Sequence, residues 1–501
     1  MTAIAPDALV LNWLLALPFF AAICVELFPR LTLRVHSEQE AQALARGPFY
    51  LGALVCVMGL GLTVSVIPLV LAGKPVTVDY WWTPDLYHLR LQADVLSTPI
   101  VLALYGLGLL IHLHLAGRPA AEHAHHRGAL VLAAAGCGIA AALSADVILL
   151  LFFLGTAVVA LWLLASLDAP RPADRLLATA HIGGLILLAG VLIMWLEAGD
   201  SSLASLPLLL ISTEPTALRL IALLVLLGLL PCLACVPGHG WLPGLARDGA
   251  AVSLAPAVLL PVIAGAALLR LLPGSLLLPT IPALAWLALI LGLATLWWGA
   301  VRSWLSHDLR QLTAWLTVAH SGHFLIALAA AAGPAAPPNL IQAAALHLLL
   351  TPMALLLLWC AASTVAACVG ADSFVGLSGL FPRMPLAGIA LLCGGLSLVG
   401  LPPLAGFHPQ RLLLSGLVES GRTWLVIAIL FGDMLIVVAL LDAFRRAFLG
   451  GEPPPPLRWT SPWLSMNLAL VTLSLLVTGL FPAPLIRWSE AVLRSLFSAS
   501  P

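Results

Sequence analysis

Apolar runs of about twenty residues recur from one end of the chain to the other, each closed by a polar or proline-bearing break. A run of that length crosses a hydrocarbon core about 30 Å thick as a helix. Backbone groups find no water there, so each spanning segment must satisfy its own hydrogen bonds, as a helix does. The pattern predicts fourteen helices, over 8–28, 49–72, 93–116, 128–144, 146–167, 175–197, 217–236, 250–271, 282–304, 310–333, 340–369, 385–418, 422–448 and 461–481. The stretch WWTPDLYHLRLQ ahead of the third helix reads as a loop. The expected class is an all-α polytopic membrane protein.

Composition agrees. The 501 residues are 61% hydrophobic and 9% charged, against about 25% charged in a soluble domain. The net charge is zero, so no basic surface suggests nucleic acid as a partner. Asp7 and the lack of a basic residue before the first run argue against a cleaved signal peptide, so the first helix is expected to stay. Of the 22 basic residues, fourteen (Arg118, Arg302 and Arg445 among them) fall in one set of alternate loops. Seven fall on the opposite side, and Arg411 falls within a span. The positive-inside rule makes the richer set cytoplasmic, with both termini outside a bacterial-type inner (plasma) membrane.

Two spans are interrupted. The seventh breaks at Pro237, Gly238, His239 and Gly240, and the twelfth at Pro402, Pro403 and Gly406. Proline lacks the backbone donor and clashes with the preceding turn, so helix continuity is lost at each place. Breaks five helices apart suggest two inverted five-helix repeats, over 128–272 and 273–450. Helices one to three precede them in 1–127, and the last helix and tail follow in 451–501.

Within the spans the titratable candidates are His181, His239, His320, His323, His347, His408, Arg411 and Asp433. An acid or a histidine at membrane depth is expensive and marks ion or proton movement by default. His320 and His323 are three residues apart and share a helix face. Asp433 has a plainer reading, a carboxyl kept protonated or paired with a twelfth-helix group such as Arg411. His123, His125 and His126 read as a solvated loop without a carboxylate framework, and His112 and His114 as interfacial. Cys232 and Cys235 read as packing residues, since no metal partner is visible beside them. Pairs such as Trp81-Trp82 and Trp297-Trp298 suit interfacial belts. No cofactor motif or metal set appears.

The segments PGHGWLPGLARDGA, HDLRQLTAWLTVAHSGHFLIAL, GLSGLFPRMPLAG and SLVGLPPLAGFHPQR together resemble the antiporter-like subunits L, M and N of complex I and the Mrp antiporters, the M type foremost. The loop WWTPDLYHLRLQADVLS is similar to that family's entry into helix three. The resemblance implies fourteen helices, broken seventh and twelfth helices, and proton movement through a mid-membrane line of lysines and histidines. It also implies partners, namely other membrane subunits of a multi-subunit complex, within the lipid bilayer. No redox centre is expected on this chain.

Carried over position by position, the family's charged groups are missing. Its fifth-helix glutamate falls at Gly155, its seventh-helix lysine at Cys232, and its eighth-helix lysine or histidine at Pro261 or Val262. Its eleventh-helix lysine falls at Leu355, and the signature Asp and His become Gly244 and Ala246. Gln410 and Arg411 stand where the twelfth helix carries lysine or glutamate, and His320 matches the family's tenth-helix histidine. The one lysine, Lys74, lies in a loop. Three readings follow. The first is a proton-conducting membrane-arm subunit of a complex I-like assembly, in which the histidines, Arg411, Asp433 and water replace the lysine chain. The second is a structural subunit that does not pump. The third is a membrane subunit of a bicarbonate-uptake or Mrp-type system. The short tail after the last helix argues against the L type, which continues into a long lateral helix.

Overall fold

The computed structural model describes residues 6–31, 38–83, 87–119, 123–205, 213–248, 254–271, 281–332, 336–449 and 456–497. In chain order the helices are α1 (Pro6–Leu31), α2 (Glu38–Leu71), α3 (Ser97–Ala116), α4 (Ala124–Leu143), α5 (Val147–Ser166), α6 (Pro170–Ala198), α7 (Pro215–Leu229), α8 (Trp241–Asp248) and α9 (Leu254–Leu271). They continue as α10 (Pro282–Trp304), α11 (Leu309–Ala330), α12 (Pro338–Val369), α13 (Pro385–Leu398), α14 (Phe407–Glu419), α15 (Thr423–Phe448), α16 (Pro462–Leu480) and α17 (Ala483–Phe497). Twelve are long and apolar enough to cross a membrane. The interrupted pairs α7/α8 and α13/α14 add two crossings, which makes the fourteen that the apolar runs predict.

Burial sorts these helices by what they face. The whole apolar window of α11 is buried, as is 94% of that of α9 and 89% of that of α12. Only 33% of α2 and α6, and 28% of α16, is covered by protein. Their open faces carry apolar side chains such as Leu185 and Leu196, which meet acyl chains rather than water. The inner helix α11 packs against α8, α9, α10, α12 and α15. Small residues let α10 and α11 approach closely: a Cβ on Gly322 would sit 2.6 Å from the Gly292 carbonyl oxygen. Such contact supplies the packing that burial of apolar surface cannot supply in lipid.

One prediction needs correction. The stretch read as a loop forms an antiparallel hairpin, β1 (Val76–Thr83) with β2 (Tyr87–Ala93), in the register Val76↔Ala93 and Asp79↔Arg90. The segment VTVDY alternates apolar and polar residues with period two, the strand signature, and the adjacent apolar spans obscured it. Arg90 donates to Asp79 across the strands at 2.6 Å. The third helix begins at Ser97, where Ser97 N donates to Asp94 Oδ1 at 2.7 Å.

Five of the arginines border two separate cavities. Arg90, Arg270 and Arg494 border one cavity of about 760 Å³, whereas Arg118 and Arg310 border another of about 190 Å³.

Candidate functional site

Both broken helices satisfy their freed backbone groups inside the protein, the condition for irregular backbone at membrane depth. After α7 the Pro231 carbonyl accepts from the Ala234 amide at 3.1 Å and from the Trp241 indole at 2.8 Å. The Val236 amide donates to Thr295 Oγ1 on α10 at 3.0 Å. Beyond α13, Leu401 N donates to the Leu396 carbonyl at 3.0 Å and Gly406 N to Ser397 Oγ at 3.1 Å. Only glycine fits at 406, because a Cβ there would lie 1.8 Å from the Ser397 carbonyl oxygen.

The second break opens onto a chain of polar side chains on three other elements. His320, on α11, has Nε2 2.9 Å from the Leu398 carbonyl at the end of α13, and Nδ1 3.1 Å from the Leu316 carbonyl. A neutral imidazole carries one N–H, so it donates to only one of these oxygens; a protonated ring satisfies both. His320 stacks on His323 with ring centroids 4.8 Å apart. His323 Nε2 donates to Asp433 Oδ1 on α15 at 3.0 Å, and Gln410 Nε2 on α14 donates to Asp433 Oδ2 at 2.7 Å. The His347 ring, on α12, lies 5.9 Å from that of His323, and its Nδ1 is 3.2 Å from Thr351 Oγ1. Every member is buried: His323 is 0% exposed, His320 2%, His347 and Gln410 3%, and Asp433 5%. His323 Nδ1, His347 Nε2 and Gln410 Oε1 have no hydrogen-bond partner among the described residues.

This chain has an approach from the arginine-bearing end of α12. The 190 Å³ cavity there is lined by Arg118, Arg310, Ser363, Asp372 and Trp359, and has room for several waters. Burial, with Arg127 close by, lowers Arg118 to about 10, so it stays charged at neutral pH. Arg310 pairs with Asp372. From the cavity wall, Trp359 Nε1 donates to Thr317 Oγ1 at 3.3 Å. Thr317 is one turn from His320 on α11.

The structure thus gathers His320, His323, His347 and Asp433, and leaves four candidates outside. Asp433 pairs with His323 and Gln410, not with Arg411, which is exposed one position further round α14. His408 turns away, its Nε2 2.8 Å from the Gly479 carbonyl on α16. His239, half-buried beside the first break, lies against Trp315 at 5.7 Å between ring centroids. His181 is exposed, with Nδ1 2.9 Å from the Leu177 carbonyl. Cys232 and Cys235 are buried free thiols, and Gly155 and Leu355 offer no titratable group. Thr317, Thr351 and Trp359 were not singled out from the sequence. The spacing of Thr313, Thr317 and Ser321 by four marks a polar stripe on α11 that could have found Thr317.

Another correction concerns His125 and His126. A carboxylate does stand beside them: Glu26 of α1, with one oxygen 2.8 Å from His126 Nδ1. His112 and His114 are buried rather than interfacial.

A family description, NADH:quinone oxidoreductase/Mrp antiporter transmembrane segment, matches residues 144–435. NADH-quinone oxidoreductase subunit N of Cereibacter sphaeroides is 32% identical over 429 residues, 82% of this chain and 88% of that one. Subunit N 2 of Solidesulfovibrio magneticus is 30% identical over 262 residues; that match spans about half of either chain, 52% and 54%. Among solved structures, a chain of the Mrp complex from Dietzia sp. superposes with a TM-score of 0.84 at 19% identity, covering 100% of this chain and 98% of that one. These relatives bear the N name, while the motifs pointed first to the M type.

Proposed function

The chain belongs to the NADH:quinone oxidoreductase/Mrp antiporter membrane family, and we propose that it is a membrane-arm subunit of a proton-translocating, complex I-like assembly. The observation that carries this reading is the continuous buried contact from the Leu398 carbonyl through His320, His323 and Asp433 to Gln410. A histidine stack ending on a carboxylate can receive, hold and release a proton without a lysine. Protonation of His320 adds a bond to a carbonyl already in place. His323 can pass its Nε2 proton along the 3.0 Å contact to Asp433, and a bridging water at the unpartnered nitrogens of His323 and His347 extends the route. Protons enter from the 190 Å³ cavity by way of Thr317, and the break after α13 gates them.

The second repeat (273–450) carries this path and the first (128–272) serves as scaffold. Around the first break stand Cys232 and Cys235, buried free thiols, and no carboxylate pairs with a histidine there among the described residues. That same break favours the second reading, a subunit that only packs between working neighbours. On the charge distribution, the arginine-rich end faces the cytoplasm of an inner (plasma) membrane and both termini face outward.

The test is proton uptake into vesicles reconstituted with the complex that co-purifies with the tagged chain. Loss of uptake in His323→Ala supports the path, and undiminished uptake in His323→Ala and Asp433→Asn alike leaves the structural reading. Quinone-reductase subunits in the purified complex support the assignment. A lone zinc protein or Mrp subunits alone would move the chain to carbon uptake or cation antiport.

A further inference from the structure

Apart from the histidine chain, α1 and α4 bring together side chains that the proton path does not use. His125 and His126 lie in the first turn of α4, and Glu26 lies near the end of α1. One nitrogen or oxygen from each of the three falls within 4.8 Å of the others. His126 Nδ1 is 2.8 Å from the Glu26 carboxylate, and the His125 and His126 ring centroids are 4.0 Å apart. His123, just ahead of the helix, holds its ring 5.4 Å from that of His126. Four groups capable of ligation therefore converge from two elements nearly a hundred residues apart, a juxtaposition that sequence spacing does not display.

We propose that Glu26, His125 and His126 bind a divalent transition-metal ion of the zinc class, with His123 as the fourth ligand. Imidazole nitrogens and one carboxylate are the donors this class prefers, while calcium and magnesium take oxygen sets. Bonds of about 2.0–2.2 Å in a tetrahedron place neighbouring ligand atoms about 3.3 Å apart. The Glu26–His126 contact is already inside that separation. The longest side must shorten by roughly 1.5 Å, which side-chain torsions accomplish because His126 and Glu26 are 38% and 44% exposed and unconfined by packing. Arg127, next in sequence, is occupied by Asp168 and does not compete for Glu26. Ala22, Ile23, Ala129 and Leu130 flank the cluster on its apolar side. The bound ion clips the end of α1 to the start of α4 and stabilises the folded chain by mass action.

The test uses the full-length chain in detergent micelles with its purification tag removed, titrated with Co2+ and followed by visible absorption. The expected result is one equivalent with the strong absorption of tetrahedral cobalt, displaced by Zn2+. In the double variant His125→Ala/His126→Ala the absorption disappears, and in Glu26→Gln affinity falls at least about tenfold. Zn2+ raises the Tm of the wild type and not that of the double variant. All three side chains are partly exposed, so the metal-free variants keep the elution volume and Tm of the wild type. Absence of the cobalt absorption from the wild type, or equal absorption in the double variant, overturns the proposal.

Discussion

Replacing Asp433 with leucine removes one side chain and two hydrogen bonds, those from His323 Nε2 and Gln410 Nε2. Neither donor can turn to solvent, since His323 is 0% exposed and Gln410 3%. Hydrogen bonds between helices in membranes contribute about 0.6 kcal/mol on average and up to about 1.7, so Asp433→Leu costs about 1–3 kcal/mol. Asp433→Asn behaves differently. Its carbonyl still accepts from His323, and its new amide donates to Gln410 once that side chain flips to present Oε1, which has no partner now. The structural cost then falls below about 1 kcal/mol, while the titratable carboxyl is gone. The eight cysteines are free and six are buried, so a thiol-reactive fluorogenic dye reports unfolding directly. Asp433→Leu should lower the apparent Tm and Asp433→Asn should barely move it. In reconstituted vesicles both should lower proton uptake at least about tenfold. Full uptake by a well-folded Asp433→Asn variant would show that the carboxyl is a structural acceptor and refute the relay.

Three further outcomes follow from the same geometry. Arg411→Ala, at an exposed position off the chain, should leave uptake and Tm unchanged in the two assays above; a loss of uptake would restore Arg411 to the path. His320→Ala removes the contact to the Leu398 carbonyl and should cut uptake at least about tenfold, with wild-type elution by gel filtration. Gly406→Ala forces a Cβ to 1.8 Å from a backbone oxygen, so the α13–α14 break must shift. That variant should yield little monodisperse protein, and a wild-type yield would contradict the packing.

Much of the fold was legible because the bilayer imposes a single rule on every span. Runs such as 282–304 match α10 at both ends, since an apolar segment of that length has no other way to satisfy its backbone. The breaks at Pro237 and Pro402-Pro403 were legible for the opposite reason, since proline and glycine disrupt a helix wherever they cluster. The hairpin from Val76 to Ala93 was not, because its period-two pattern is short and the adjacent apolar spans obscured it.

The candidate site divides the same way. Sequence named His320, His323, His347 and Asp433 because ionisable residues inside apolar helices stand out against their surroundings. It also fixed the absence of a lysine relay, since the chain's one lysine, Lys74, lies between α2 and β1. What it could not supply is which of these groups meet. Gln410 and Arg411 are adjacent in sequence, yet about 100° of helix rotation sends one to Asp433 and the other to the surface. Glu26 and His126 are a hundred residues apart and touch because α1 packs along α4. Periodicity along the chain determined which segments cross the membrane; only the rotation and packing of those helices decided which polar groups share a site.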